Sequence, residues 1–371
     1  MNELSILTLT TQDEALKGIV EKVIHGERLS LEDGLALYQS DDLMTIGQLA
    51  NIVNQRKNGN NVYFIHNLYI NPTNVCEAHC KFCGFRRDEG EDGAYTMSTD
   101  ELLHYVGTRF RPGIREFHIV GGHNQHVGFD YYVETVRTLK KAYPDVTIKA
   151  YTGAEIEFFS RISGLSIREV LQELINAGLE SLTGGGAEIL TERYREKMSP
   201  EKASTDLWLE VHRTAHQLGL RTHSTMLYGS IETLEERLIH MIRIRELQDE
   251  TNGFLVFIPL AVQPIKASAG IKRRTSAIDD LKTIAISRLM ADNVPHIKAY
   301  FINIGTQLTQ VALTMGASDV HGTLIEERIS HAAGALTQQS LTVDELVWLI
   351  KGAGRKAIER DTFYNVIKEY E

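Results

Sequence analysis

From Ser98 onward the chain repeats one unit: a capped helix, a glycine at its end, and a short apolar strand. Ser98 with Glu101, Ser166 with Glu169 and Thr233 with Glu236 have the capping-box spacing, in which a hydroxyl and a carboxylate satisfy free amides at a helix start. Gly113, Gly178 and Gly219, in PGIREFHIV, NAGLESL and QLGLRTHSTML, suit the left-handed position that closes a helix before a strand begins. Strand and helix therefore alternate, as they do where a parallel sheet is covered by its own crossover helices. The candidate strands are VYFIHNLYI, REFHIV, VTIKAY, LESL, RTHSTML, FLVFIPL, HIKAYFI and, most weakly patterned, a stretch near SDVHG. Eight strands at these spacings predict a TIM-type (βα)8 barrel, full or slightly open. A doubly wound open sheet is the alternative.

The flanks read differently. Residues 1–60 form a helical extension, with Ser30 and Asp33 capping LEDGLALY and Gly59 stopping DLMTIGQLANIVNQRKN. Residues 61–330 hold the barrel, and residues 331–371 read as closing helices, with Thr342 and Glu345 capping DELVWLIKGAGRKAIE. At 371 residues and 43% hydrophobic, the chain can bury a large core. Its formal charge of −10 argues against a phosphate-backbone partner, so nucleic acid is not expected. The opening MNELSILTLTTQDEALK has acids and no apolar run of signal-peptide length, and FLVFIPLAV is too short to cross a bilayer. A cytoplasmic protein without a membrane segment is expected.

All three cysteines lie in CEAHCKFC, as Cys76, Cys80 and Cys83, on the loop after the first strand. An odd, clustered set makes a secreted disulfide framework a poor account and suits metal binding in a reducing compartment. Structural zinc takes four ligands, usually as two short pairs, so it would need His66 or His79 as well. Inert buried thiols are the plainest reading, but they leave the rest of a large core without cysteine unexplained. An iron-sulfur cluster on three thiolates keeps one iron open, which suits a substrate-binding centre better than a passive electron carrier.

CEAHCKFC, with Phe82 before its last cysteine, fits CxxxCxxC and so resembles the radical S-adenosylmethionine superfamily. Further along, NLYINPTNVCEAHCKFCGF, EFHIVGGHN, IKAYTGAEIEFF, LESLTGGGAEIL, HSTMLYGSIET and HIKAYFINIG look most like aminofutalosine synthases, within a branch that also holds the dehypoxanthine futalosine cyclases and deazaflavin-pathway enzymes. That resemblance implies a 4Fe-4S cluster on Cys76, Cys80 and Cys83, and S-adenosylmethionine consumed as co-substrate. It implies a dicarboxylate substrate, 3-[(1-carboxyvinyl)oxy]benzoate, whose enolpyruvyl double bond takes the 5′-deoxyadenosyl radical. It also implies a reductant such as flavodoxin or ferredoxin.

Gly121 and Gly122, after the second strand, let backbone approach a ligand closely and, by resemblance, meet the methionyl amino group; otherwise they are a tight turn. TGGGAEIL lacks the lysine and hydroxyl residue of a P-loop, and by resemblance lies near the adenosine, with Glu188 facing the ribose. Glu155, in IKAYTGAEI, and His223 are the acid-base candidates, with Lys149, Tyr151, His118, His123 and His126 as weaker ones. His212 and His216, at i and i+4, lack the glutamate of a zinc helix and read as a solvated face. Ser230 and His321, where relatives carry other residues, are given no catalytic role. Arg273, Arg274 and Arg288 are candidate partners for the substrate carboxylates, with Lys272 beside them as a further anion contact.

Overall fold

The structure, a computed structural model, describes residues 11, 13–263, 271 and 273–371. The N-terminal stretch read for targeting therefore falls largely, and Lys272 wholly, outside the described residues. Every expected capping box is formed, at Ser30, Ser98, Ser166, Thr233 and Thr342. Gly178 caps the helix Ile167–Ala177 at φ +115°, and Gly219, at φ +89°, follows the end of Thr205–Gln217. Gly113 has a different place: its helix ends at Arg109, and the glycine sits in the turn beyond.

The run VYFIHNLYI, expected as one strand, is two: β1 (Asn61–Ile65) and β2 (Asn67–Ile70). The break comes where the backbone changes neighbours. Around it, the Asn67 amide donates to Thr323 Oγ1 at 3.0 Å and Asn67 Nδ2 to Glu116 Oε1 at 3.2 Å. Past β2 come β3 (Glu116–Ile119), β4 (Thr147–Ala150), β5 (Ser181–Leu182), β6 (Arg221–Tyr228), β7 (Phe254–Ala261) and β8 (His296–Ile297). Strands β2 to β8 form one seven-stranded parallel sheet in sequence order, curled with helices outside. HIKAYFI is strand only at its start, because Phe301–Ile304 turns into a short helix.

The weakly patterned eighth strand exists as β9 (Asp319–Gly322), but it pairs with β1 and touches the β8 end through one isolated bridge, Lys298 with Asp319. The barrel is thus open rather than closed. The C-terminal segment also departs from expectation. Its helix stops at Gly352, Gly354 takes φ +70°, and the chain returns as β10 (Lys356–Arg360) and β11 (Val366–Tyr370). Strand β10 runs parallel to β1, giving a second sheet ordered β11-β10-β1-β9, so residues past 331 share a sheet with the start of the barrel. Helical periodicity carried across GAGRKAIE hid this, because strand pairing at residues 356–360 depends on a neighbour almost three hundred residues away.

Packing explains the flanks. Helix Leu43–Asn58 lies on Ala277–Met290, and Leu31–Gln39 lies on Leu234–Thr251, where Gly34 brings its backbone against Leu238. Among the described residues, no helix is long and apolar enough to cross a membrane.

Candidate active site

A cavity of about 290 Å³ opens inside the barrel at the strand C-terminal ends. Loops after strands carry the chemistry of this architecture because strand ends vary freely while the sheet stays rigid. Cys76, Cys80, Phe82, Cys83, Gly121, Gly122, Glu155, Glu188 and His223 all line this cavity. The sheet therefore gathers the residues singled out for cluster and cofactor work and the two main acid-base candidates, while Lys149, Tyr151 and His126 stay outside the lining.

The cysteine loop has little regular structure, so specific bonds hold it. Asn74 donates through Nδ2 to the Gly93 carbonyl (2.9 Å) and accepts the Tyr95 amide (2.8 Å). The Glu77 amide donates to the His123 carbonyl (2.9 Å), and the His123 amide donates to Cys76 Sγ (3.2 Å). Cys80 is buried, which pushes its thiol up to about 12, with the Lys202 ammonium opposing. Arg86 and Lys202 are cations of this region: Arg86 Nε donates to the Cys76 carbonyl at 3.2 Å, and Lys202 Nζ donates to Glu188 Oε1 at 2.8 Å and lies 5.7 Å from the centre of the Phe82 ring. Burial works against that charge, but Cys80 and Glu188 outweigh it and hold the Lys202 pKa above the ordinary lysine value. Nothing in SPEKAS advertised Lys202; a loop lysine has no periodicity to betray it.

The glycine pair is fixed by steric contact. A Cβ on Gly122 would stand 2.1 Å from the Val75 carbonyl oxygen and 3.0 Å from Cys76 Cβ. Gly122 thus lets the end of β3 touch the cysteine loop. Gly122→Ala is expected to cost about 1–3 kcal/mol by overpacking and to lower iron per chain, read by thermal melts and iron assay.

Glu155 follows β4 and completes a capping box with Thr152. Its Oε2 accepts the Thr152 amide at 2.7 Å, and its Oε1 accepts the Gly121 amide at 3.0 Å. Burial pushes its pKa up to about 7, opposed by these bonds. Both oxygens face backbone donors, so the side chain positions the glycine pair. Glu155→Gln puts an N–H against one of those amides. We expect a loss of about 1–3 kcal/mol and weaker S-adenosylmethionine binding, measured by denaturation and ligand titration; wild-type values in both would exclude the positioning role.

Glu188 takes φ +48° after Gly184, Gly185 and Gly186, in an irregular stretch that opens no helix before Glu192. A Cβ on Gly184 would meet the Ser224 backbone at 2.8 Å, so this run is pressed against β6. His223, on β6, is fully buried, and neither ring nitrogen has a hydrogen-bond partner. Burial, reinforced by Lys149 and Lys298, holds it neutral.

Deeper in the barrel lies a charged cluster that the sequence reading did not assemble. Lys149 Nζ meets Glu116 Oε1 at 2.6 Å, with both side chains inaccessible. Arg360 pairs with Asp319 at 2.6 Å, and Lys298 lies 3.5 Å from the same acid. Lys298 Nζ also lies 2.6 Å from His321 Nδ1, whose Nε2 lies 2.5 Å from the Tyr69 hydroxyl. Lys298, His321, Tyr69 and His118 line the cavity. The signal for Lys298 was present: IKAY occurs twice, and each copy ends a strand with a lysine inside an apolar run.

Several expected residues go elsewhere. Arg288 is wholly buried on carbonyls of Val294, Pro295 and Gly316, Arg274 donates to the Gly334 carbonyl at 3.1 Å, and neither these nor exposed Arg273 lines the cavity. None of the three arginines is therefore placed to meet a substrate carboxylate in this cavity. His212 is not solvated: it is buried, packed 4.0 Å from Trp208 and bonded to Thr222, because its helix face meets β6. His126 pairs with Glu89, and Tyr151 donates to the Tyr132 carbonyl, so both serve structure outside the cavity.

Residues 70–243 match the Radical SAM superfamily model, and residues 251–370 match the CofH/MqnC C-terminal region. The chain is 50% identical to the aminodeoxyfutalosine synthase of Thermus thermophilus, over 97% of this chain and 98% of that one. This chain belongs to the radical SAM superfamily. A second aminodeoxyfutalosine synthase, from Streptomyces coelicolor, is 45% identical over 97% of this chain and 96% of its own. The cyclic dehypoxanthine futalosine synthase of Halalkalibacterium halodurans is 33% identical over 96% of each. Among solved structures, methylornithine synthase superposes with a TM-score of 0.69 at 20% identity, over 90% of this chain and 96% of that one, a likeness of fold.

The superfamily implies an iron-sulfur cluster and S-adenosylmethionine, and the residues of this radical SAM enzyme fit both. Among the described residues no three His, Cys, Asp or Glu side chains converge as a set for a single ion. A cuboidal cluster makes a different demand, since thiolates on three of its corners stand apart around one face. The three cysteines meet that demand on one loop around one cavity, and His66 and His79 do not line it.

Proposed function

We infer that this radical SAM enzyme is an aminodeoxyfutalosine synthase of menaquinone biosynthesis. The observation that carries the reading is the identity gap over nearly the same length: 50% to an aminodeoxyfutalosine synthase against 33% to a cyclic dehypoxanthine futalosine synthase. Cys76, Cys80 and Cys83 would hold a 4Fe-4S cluster, which when bound and reduced supplies the electron that cleaves S-adenosylmethionine. The electron donor would be a flavodoxin or ferredoxin.

The protein's own work is binding and orientation. Gly121 and Gly122, fixed by Glu155, offer backbone to the methionyl end of S-adenosylmethionine, and Glu188, steadied by Lys202, stands beside the glycine run for the adenosine end. Phe82 and the aliphatic side chains Leu227, Ile258 and Leu260 keep water from the cavity in which the adenosyl group meets the enolpyruvyl double bond. His223 is placed to hydrogen-bond bound substrate, because its two ring nitrogens have no partner within the protein.

Mass spectrometry of the products from reduced enzyme, S-adenosylmethionine and 3-[(1-carboxyvinyl)oxy]benzoate tests this reading. An adenosyl adduct that has lost one carboxylate as bicarbonate is expected. Release of 5′-deoxyadenosine without coupling would transfer the assignment to another member of the branch.

A further inference from the structure

The deep charge cluster is unbalanced. Lys149, Lys298 and Arg360 bring three basic groups against two acids, Glu116 and Asp319, and all five side chains are essentially removed from water, so that burial pushes the Lys298 pKa down to about 7. Glu116 is matched by Lys149, and Asp319 accepts both Arg360 Nη2 at 2.6 Å and the Tyr364 hydroxyl at 2.9 Å. Lys298 is left with the longest of these pairings, 3.5 Å to an acid already engaged. It is also the one cation of the five charged side chains that lines the cavity. Around it the histidines are kept neutral by burial and the neighbouring lysines.

His321 is bonded at both ring nitrogens, but the other two histidines are short of partners. His223 has two unbonded ring nitrogens, and His118 Nδ1 has none to bond, although His118 is stacked 4.1 Å from Tyr69. A buried polar group left unpaired costs free energy that a ligand recovers when it supplies the missing atom. A buried amine without a close acid of its own, beside open imidazoles at the floor of an apolar-walled cavity, is complementary to an anion carried on a flat, apolar body, because the anion would favour the charged amine.

We propose that the barrel floor is a carboxylate pocket: Lys298, with His223 and His118, holds the carboxylate on the aromatic ring of the substrate. The proposal rests on the synthase reading, and it gives that reading an orientation. Tyr69, His118 and His223 lie within strands, whereas the cysteines lie on the loop past β2, so an anchored ring carboxylate points the rest of the substrate from the floor toward the mouth. The enolpyruvyl double bond then faces the side from which the adenosyl group arrives. Lys298 binds substrate and does not enter the bond-making step.

The test is equilibrium binding to the cluster-loaded enzyme with two probes of the same shape, 3-methoxybenzoate and its neutral counterpart 3-methoxybenzamide. Wild type is expected to prefer the acid by about tenfold or more, as for a partly desolvated charge pair. Lys298→Gln is expected to abolish that preference while iron content and S-adenosylmethionine affinity stay at wild-type values. His223→Phe, which keeps the ring volume, is expected to weaken the acid about fivefold and the amide little, and it serves if Lys298→Gln does not fold. Equal affinity of wild type for acid and amide, or an intact acid preference in either folded variant, would overturn the proposal. Failure of the synthase reading is seen separately, as absence of the adenosyl adduct from wild type, and it leaves the acid-versus-amide comparison unaffected.

Discussion

Single replacement of Cys76, Cys80 or Cys83 by alanine is expected to bring iron, sulfide and S-adenosylmethionine cleavage to background, while His79→Ala leaves all three unchanged. The loop offers only these three thiols, and the chain has no other cysteine to substitute for a missing one. Loss of one thiolate would open a second corner of the cluster to solvent and remove the distinction between the corner kept for S-adenosylmethionine and those held by protein. His79 discriminates because it is the imidazole that a four-ligand zinc site would recruit from this loop. It is more than half exposed, lies 3.0 Å from Arg86 Nη2, and does not line the cavity. Metal loss in His79→Ala, or cluster retention in any cysteine variant, would contradict the open-corner arrangement. Anaerobic iron and sulfide assays with electron paramagnetic resonance of the reduced protein read the outcome directly.

The second large effect is expected at Lys149. Lys149→Met removes the cation 2.6 Å from Glu116 and leaves a carboxylate buried in the barrel interior, a change that costs about 3–5 kcal/mol. Burial raises the Glu116 pKa, but Lys149, His118 and Arg360 overcome it and hold the carboxyl well below the ordinary glutamate range. The pH dependence follows in sign. In wild type the unfolded chain takes up the proton first on acidification, so this contribution is complete above the ordinary glutamate pKa and is lost as pH falls below it. In the variant the buried carboxyl takes up the proton more readily than the unfolded chain, so the deficit is expected to narrow as pH falls. Adding Glu116→Leu recovers only part of the loss, because Asn67 Nδ2 and Thr362 Oγ1 also donate to that carboxylate. Urea denaturation at several pH values measures all of this. A deficit under about 1 kcal/mol at neutral pH would mean that water or a neighbour replaces the lysine.

The legibility of the molecule divides along a physical line. Capping boxes are local: Ser98 and Glu101 are three residues apart and satisfy each other's backbone wherever the helix goes, so they could be read before any fold was known. The same holds for the cysteine spacing and the glycine pair. Strand partners are not local. VYFIHNLYI reads as one pleated run, but β1 pairs with β10 and β9 while β2 pairs with β3. Only the distant strands decide where one sheet ends and the other begins. The C-terminal hairpin escaped for the same reason, and His212 escaped because helix-face exposure depends on what lies opposite.

Site chemistry follows the same rule. Glu155 was recognisable as a carboxylate at a strand end, but its work as an acceptor for Gly121 came from a loop brought to it through β3 and β4 pairing. Lys298, from the end of β8, has its charge set only once the fold buries it and brings Asp319 to favour the ammonium and Arg360 and Lys149 to oppose it.

By itself the order of residues determined the alternation of strand and helix, the place of the three thiols, and the family to which the chain belongs, since each is written in contacts between near neighbours. Tertiary structure alone decided that the barrel stays open, which strands join the second sheet, and that the cations available to a bound acid lie inside the barrel. Those outcomes depend on burial and on charges from distant segments meeting in a low-dielectric interior, where a shift in neighbours changes what a side chain does.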